Sequence, residues 1–235
     1  MDTAHRLFSC LSRTGGNRRM KLPARILKRV IDVVGASTAL AVSAPFMLGI
    51  CIMIPFKLGK GGVFFTQTRP GHNEEPFDVV KLRTMLEAFD KDGNILPEGE
   101  RLPEFGWTLR RLSIDEIPQF WNVLKGEMSI VGPRPLLMEY LEAYPPEARR
   151  RHDVKPGITG WAQVNGRHES TFSQRLEQDV YYVDNQSLAL DLKIMWYTVT
   201  RVLLKSNVRK PDQDIAEVDD LDLHRHVKAR KKENS

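Results

Sequence analysis

The chain has 235 residues, with 35 Lys and Arg against 30 Asp and Glu for a formal net charge of +5. One domain with extensions fits that length, and 41% hydrophobic with 28% charged residues excludes a wholly disordered chain and a polytopic membrane protein. Two cysteines, Cys10 and Cys51, lie outside any CxxC or Cys/His cluster, which excludes a disulfide scaffold and suits a reducing compartment, while the basic balance asks for an anionic partner such as nucleic acid, phospholipid or a phosphorylated substrate.

Residues 1–27 are polar and basic and read as an arm lying on a membrane surface. Residues 28–60 hold the membrane segment. From Val33 to Phe56 the chain runs 24 residues without a formal charge, enough for a helix of roughly 36 Å at ~1.5 Å per residue. Pro45 lies in its middle, where it removes a hydrogen bond and kinks a helix. Both flanks are basic, with Arg18, Arg19, Lys21, Arg25, Lys28 and Arg29 before it and Lys57, Lys60 and Arg69 after it. A spanning helix carries its basic excess on one side. A helix that enters, breaks at Pro45 and returns satisfies both flanks, with Ser43 bonding a carbonyl that Pro45 strands. A spanning anchor with a tolerated proline is the alternative. Asp32, three residues after Arg29, is expected to pair with it at the interface.

Residues 61–205 read as a folded domain of the α/β class in which helices dominate. Short β-like runs at Val63 to Thr66 and Phe77 to Leu82 flank the turn Arg69-Pro70-Gly71, so a hairpin is expected. Residues 90–104 are a surface loop. Helical patterns follow at 114–125, 134–149, 173–185 and 189–205, separated by turns such as Val131-Gly132-Pro133 and Lys155-Pro156-Gly157. Leu137, Tyr140, Leu141 and Tyr144 in one, and Ile194, Met195, Trp196 and Val199 in another, form apolar stripes beside basic residues. These suit helices lying in a membrane interface or, equally, packing in a core. Residues 206–235 are charged and poor in apolar residues, a disordered tail by composition.

The densest region is Arg110-Arg111-Leu112-Ser113-Ile114-Asp115-Glu116-Ile117-Pro118-Gln119. Ser113 and Glu116 have the spacing of a capping box, and Asp115 suits a helix N-terminus, which explains the acids without chemistry. The same pair can divide the labour between a nucleophile and a ligand for Mg²⁺. Cations stand at turn positions around it: Lys81 and Arg83, Arg110 and Arg111, Arg134 between two prolines, and Arg167 after Asn165-Gly166. A proline-stiffened backbone aims a guanidinium fork at a phosphate well. Beside a membrane segment, these residues point to phosphoryl transfer at a membrane surface.

Leu109 to Pro135, Lys155 to Arg167 and Asp179 to Lys193, in that order, resemble the bacterial sugar transferase family, the monotopic phosphoglycosyl transferases that begin lipid-linked glycan assembly. The resemblance runs from about Lys28 to about Ser206, over everything except the arms. It implies a re-entrant membrane helix and a reaction on the cytoplasmic face of the bacterial inner membrane. Asp115 would attack the β-phosphate of a UDP-sugar, releasing UMP and holding the phosphosugar as an acyl phosphate. Glu116 would bind Mg²⁺. Lys81, Arg110, Arg134 and Arg167 would hold phosphates, and Asp191 matches another acidic site position. Undecaprenyl phosphate would then accept the phosphosugar, and glycosyltransferases acting later would be partners. The runs Phe65 to Gly71 and Pro135 to Leu141 resemble members of the small, catalytic-domain-only type that use an N-acetylated amino sugar. One departure stands out: where the family commonly has Ser-Pro at its helix break, this chain has Ala44-Pro45, with the serine one place earlier at Ser43.

Two other readings compete. The same fold without activity would be a membrane scaffold, against which the intact Asp115-Glu116 pair argues. A basic nucleic-acid-binding protein would leave the 24-residue apolar run without a purpose, and the aromatics follow helical spacing rather than a stacking platform. No nucleic-acid partner is therefore expected.

Overall fold

A computed structural model describes residues 20–166, 170–203 and 219–221. The uncharged run lies within one helix, α1 (Leu22–Leu58), 37 residues long with a proline in its first turn, where a missing N–H costs little. The break expected at Pro45 is not made; α1 is continuous through Pro45 and Pro55. Each proline removes one hydrogen bond, but opening the helix among apolar surroundings would strand more backbone groups, so the helix continues. Ser43 does not serve the carbonyl of Ala41 that Pro45 frees. Its hydroxyl reaches back one turn, donating to the Ala39 carbonyl at 2.6 Å with Leu40 at 3.3 Å. Around this point Val42, Phe46 and Leu48 are more than half exposed.

Both ends of α1 are tied to the rest of the chain. Ala36 is buried with Val123 and Met128, and the expected Arg29–Asp32 pair is replaced by longer-range bonds. Arg29 donates to the carbonyls of Val123 at 2.7 Å and Leu124 at 2.9 Å. Asp32 accepts from the Ser129 hydroxyl at 2.8 Å and the Ile130 N–H at 3.0 Å. A buried carboxylate gains more from preformed backbone and hydroxyl donors than from a mobile surface pair. At the other end Ile50, Ile54 and Leu58 pack with Leu82 and Leu109. Arg83 caps this end, donating to the carbonyls of Leu58 at 3.3 Å, Gly59 at 2.8 Å and Lys60 at 2.9 Å.

The expected hairpin forms, with β1 (Phe64–Pro70) antiparallel to β2 (Pro76–Leu82) and Phe65 opposite Lys81. The loop over 90–104 holds a Phe89–Ile95 bridge and a single helical turn at Glu98–Arg101. Helix α2 (Glu104–Arg111) follows and lies close against Thr84. A Cβ at Gly106 would stand 1.8 Å from the Thr84 carbonyl, so only glycine allows that approach.

The single helix expected over 114–125 is divided into a 3-10 turn at Ile114–Glu116 and α3 (Gln119–Lys125), because Pro118 supplies no N–H to continue the first turn. The sequence suggests only turns around Val131 and Pro156, yet β3 (Ser129–Val131) and β4 (Gly157–Thr159) pair there in parallel. A Cβ on Gly157 would meet the Gly132 nitrogen at 2.1 Å, so glycines set this crossing. No long helix forms over 134–149. A 3-10 stretch at Met138–Ala143 and single turns at Pro146–Arg149 and Arg150–Asp153 replace it, since Pro145-Pro146 removes two donors. Tyr140 and Tyr144 are core residues, buried with Ala148, Phe172 and Leu176.

After α4 (Trp161–Asn165), helices α5 (Phe172–Asp184) and α6 (Leu188–Leu203) form where the periodicity places them. Leu192, Trp196 and Val199 make an exposed apolar stripe along α6. Within the tail, Asp220 accepts the Ser173 N–H at 3.1 Å and the Ser173 hydroxyl, capping α5, and Leu221 packs on the tyrosine cluster. The remainder of the tail, most of the basic arm and Arg167 lie outside the described residues.

Candidate active site

The site begins with a backbone irregularity. Ser113 takes φ 55°, a left-handed conformation uncommon outside glycine, and its side chain makes no cap, so the capping box is not formed. This bend stops α2 and starts the tight turn that carries Asp115 and Glu116. Ile114 and Leu109 pack in the core cluster with Leu58 and Leu82, which fixes the turn from below. Strand β2 brings Lys81 to the same place. Asn122, fully buried, locks β2 to α3: its side chain accepts from the Val80 N–H at 3.1 Å and donates to the Asp78 carbonyl and to Glu127, each at 2.7 Å.

Three donors grip Glu116. Lys81 Nζ lies 2.7 Å from Oε1, Arg134 Nη1 lies 3.2 Å from Oε2, and Arg134 Nη2 also reaches Oε1. Burial opposes the charge on Glu116, but Arg134 and Lys81 outweigh it and hold the carboxyl well below the usual range. Asp115, 7% exposed, accepts no hydrogen bond from the described residues. Burial first, and then the adjacent Glu116, push its carboxyl up to about 6, although Lys81, Arg110 and Arg134 pull the other way. Neighbouring carboxylates thus have opposite environments: one is clamped in a setting that favours its charge, the other is desolvated and without a hydrogen bond from the described residues.

Of the expected phosphate-holding cations, Lys81, Arg110 and Arg134 converge on this pair through their fields. Arg110 is aimed by Thr84, whose Oγ1 accepts its Nε at 2.9 Å, and it also pairs with Glu98. Arg83 and Arg111 serve elsewhere, Arg83 at the end of α1 and Arg111 stacked 4.7 Å over the Trp107 ring. Asp191 joins a different cluster: it pairs with Lys28 at 2.8 Å and accepts the Tyr182 hydroxyl at 2.7 Å, tying α6 to α1. Burial raises its pKa against the pull of Lys28.

The loop bearing Arg134 rests on residues that sequence reasoning did not single out. Arg151, 2% exposed, bonds Asp179 through Nε at 3.0 Å and Nη2 at 2.7 Å, and Nη2 also donates to the Arg134 carbonyl at 2.6 Å. Gln119, 3% exposed, leaves Nε2 without a partner among the described residues, a donor available beside the acidic turn. Burial of this kind leaves no mark in the local pattern; only the long-range pairing reveals it.

Among the described residues no group of three or more His, Cys, Asp or Glu assembles to hold a metal alone. The donor set nevertheless fits Mg²⁺, which takes oxygen ligands and shares them with phosphates. The free oxygens of Asp115 and the lightly held Oε2 of Glu116 are the ligands available, and water or the phosphates of a bound ligand would have to supply the rest.

The sequence pattern of the bacterial sugar transferases matches residues 23–205. An uncharacterized sugar transferase, EpsL of Bacillus subtilis strain 168, is 47% identical over 192 residues, 82% of this chain and 95% of its own length. The exopolysaccharide production protein ExoY of Rhizobium meliloti strain 1021 is 37% identical over 194 residues, 75% of this chain and 85% of its own. The UDP-glucose:undecaprenyl-phosphate glucose-1-phosphate transferase of Caulobacter vibrioides is 40% identical over 192 residues, 77% of this chain and 71% of its own.

Proposed function

The chain belongs to the bacterial sugar transferase family, and we propose that it transfers a sugar 1-phosphate from a UDP-sugar to undecaprenyl phosphate, a first membrane step in polysaccharide synthesis. The observation that carries this reading is the unpaired, desolvated Asp115 beside a Glu116 clamped by Lys81 and Arg134. An Asp115 oxygen attacks the β-phosphorus of the donor; the bond from that phosphorus to the bridging oxygen breaks, and UMP leaves. A phosphate oxygen of the lipid then attacks the same phosphorus and frees Asp115, giving the diphosphate-linked sugar. Lys81, Arg110 and Arg134 neutralise charge on the phosphoryl oxygens in both steps, the main demand of phosphoryl transfer. Mg²⁺ held by Glu116 and the diphosphate would add to that neutralisation.

The enzyme works from one face of the membrane in this reading. Both ends of α1 bond the same domain, through Arg29 and Asp32 at one end and Arg83 at the other. A domain cannot stand on both sides of a bilayer, so α1 dips in with its exposed middle and returns, bending at Pro45. A cytoplasmic placement follows, since UDP-sugars are made there.

An N-acetylated amino sugar is our choice of donor, from the runs Phe65 to Gly71 and Pro135 to Leu141. Glucose is the second reading, favoured by the reaction named for the Caulobacter relative. Intact-protein mass spectrometry after mixing the purified protein with Mg²⁺ and a panel of UDP-sugars, without lipid, tests both points. We expect a gain of one phosphosugar, absent in Asp115→Asn, with the productive donor naming the sugar. UMP release on adding undecaprenyl phosphate, with no adduct from any donor, would overturn the covalent route. No turnover with any donor and acceptor would leave the inactive scaffold in its place.

A further inference from the structure

Arg134 projects from Gly132-Pro133-Arg134-Pro135, where two prolines fix the backbone on either side but supply no N–H to hold it. Apart from the Gly132 N–H, which donates to the Thr159 carbonyl at 2.9 Å, the carbonyls of this loop are therefore its handles. Val131 O accepts Lys28 Nζ at 3.1 Å, Pro133 O accepts the Gly157 N–H at 2.9 Å, and Arg134 O accepts Arg151 Nη2 at 2.6 Å. The last is the handle next to the guanidinium. Its donor is buried and unable to wander, because the Asp179 carboxylate of α5 takes both Nε and Nη2 of Arg151, and the Tyr144 hydroxyl lies 3.3 Å from Nη1. Two charges buried this deeply cost desolvation, and a well-packed apolar pair often serves stability as well. Their value here lies in direction, since a forked guanidinium can hold a carboxylate and a carbonyl in one plane and a lysine cannot.

We infer that Arg151 and Asp179 are positioning residues for the reaction: the buried pair grips the Arg134 carbonyl and so sets where the Arg134 guanidinium meets Glu116 and the donor diphosphate. Asp179 orients Arg151, Arg151 anchors the loop, and Arg134 makes the contact. The inference rests on the donor reading given above.

The test is UDP binding by isothermal titration to the full chain in detergent, for the parent, Arg151→Lys, Asp179→Asn, Arg134→Ala and the double variant Arg151→Lys/Arg134→Ala. The Kd reports the site and the stoichiometry reports the folded fraction. We expect Arg151→Lys and Asp179→Asn each to weaken UDP about tenfold at unchanged stoichiometry, the worth of one charge-assisted contact. In the Arg134→Ala background Arg151→Lys should add nothing, because its effect passes through Arg134. A parent-like Kd in both single variants overturns the inference, and so does a further tenfold loss in the double variant. Loss of folded protein in both would assign the pair to stability alone and overturn it too. Failure of the parent to bind UDP would instead strike the donor reading, and the inference with it.

Discussion

Five acids, four of them buried and Glu116 half-buried, stand in two groups that are wired differently, one in the acidic turn (the front) and one along α1, α5 and α6 (the rear). At the rear, Asp32 takes Ser129 and the Ile130 N–H, Asp179 takes Arg151 twice, and Asp191 takes Lys28 and Tyr182. At the front, Glu116 takes Lys81 and both nitrogens of the Arg134 fork, while Asp115 takes nothing from the described residues. A buried charge is tolerated when its lone pairs are filled, and four of the five obey that rule. The exception stands where positive residues converge without touching it. An unfilled carboxylate has lone pairs to offer an electrophile, at a cost in stability that the paired acids avoid.

The difference can be broken most severely at Asp115. Asp115→Asn should lower UMP release by at least ~10⁴-fold, as loss of a covalent nucleophile does. The same variant should melt higher. The folded carboxyl is held up to about 6 against 3.8 for an ordinary aspartate, so the folded state binds the proton more tightly. Its penalty is absent below pH 3.8 and grows as the pH rises through about 6. At pH 7.5, removing the charge should stabilise by about 1–3 kcal/mol; a lower melting temperature would sink the unpaired assignment.

At the rear the sign reverses. Lys28→Met leaves Asp191 charged and half-satisfied at 4% exposure and should cost about 3 kcal/mol in denaturant unfolding. Adding Asp191→Leu should recover most of that loss, which a catalytic aspartate would not permit without loss of turnover. A smaller effect comes from pH. UMP release should fall about tenfold per unit below an acid limb near 6. Glu116 should add no limb between pH 4 and 6, because Arg134 and Lys81 keep it ionised. The smallest effect is expected at the start of α5: Asp220→Ala should cost about 1 kcal/mol, the worth of a helix cap, with no change in donor KM. Asp220 lies beyond the residues that the family pattern matches, 23–205.

The amino-acid pattern already made much of this legible. A long uncharged run gives a helix whatever surrounds it, because 24 uncharged, mostly apolar residues leave backbone groups few partners but each other. Periodicity located α5 and α6, and two β-like runs around Arg69-Pro70-Gly71 located the hairpin, although Arg69 and Pro70 belong to β1 and the chain turns at His72–Glu74. The acidic pair and three of its cations were readable because phosphoryl chemistry requires those side chains close together. Where prolines sat inside a periodic stretch, the pattern misled in both directions: α1 runs unbroken through Pro45, whereas Pro118 and Pro145-Pro146 divide what reads as continuous helix.

Tertiary structure alone decided how the charges pair. Arg29, Asp32, Arg83 and Asp191 look from their neighbours like surface or substrate-binding groups, yet each bonds a partner more than 20 residues away. Arg151 and Asp179 are likewise joined across 28 residues. Local sequence records which residues can ionise, whereas burial and the fixed donors around each carboxylate determine which one is left free to react.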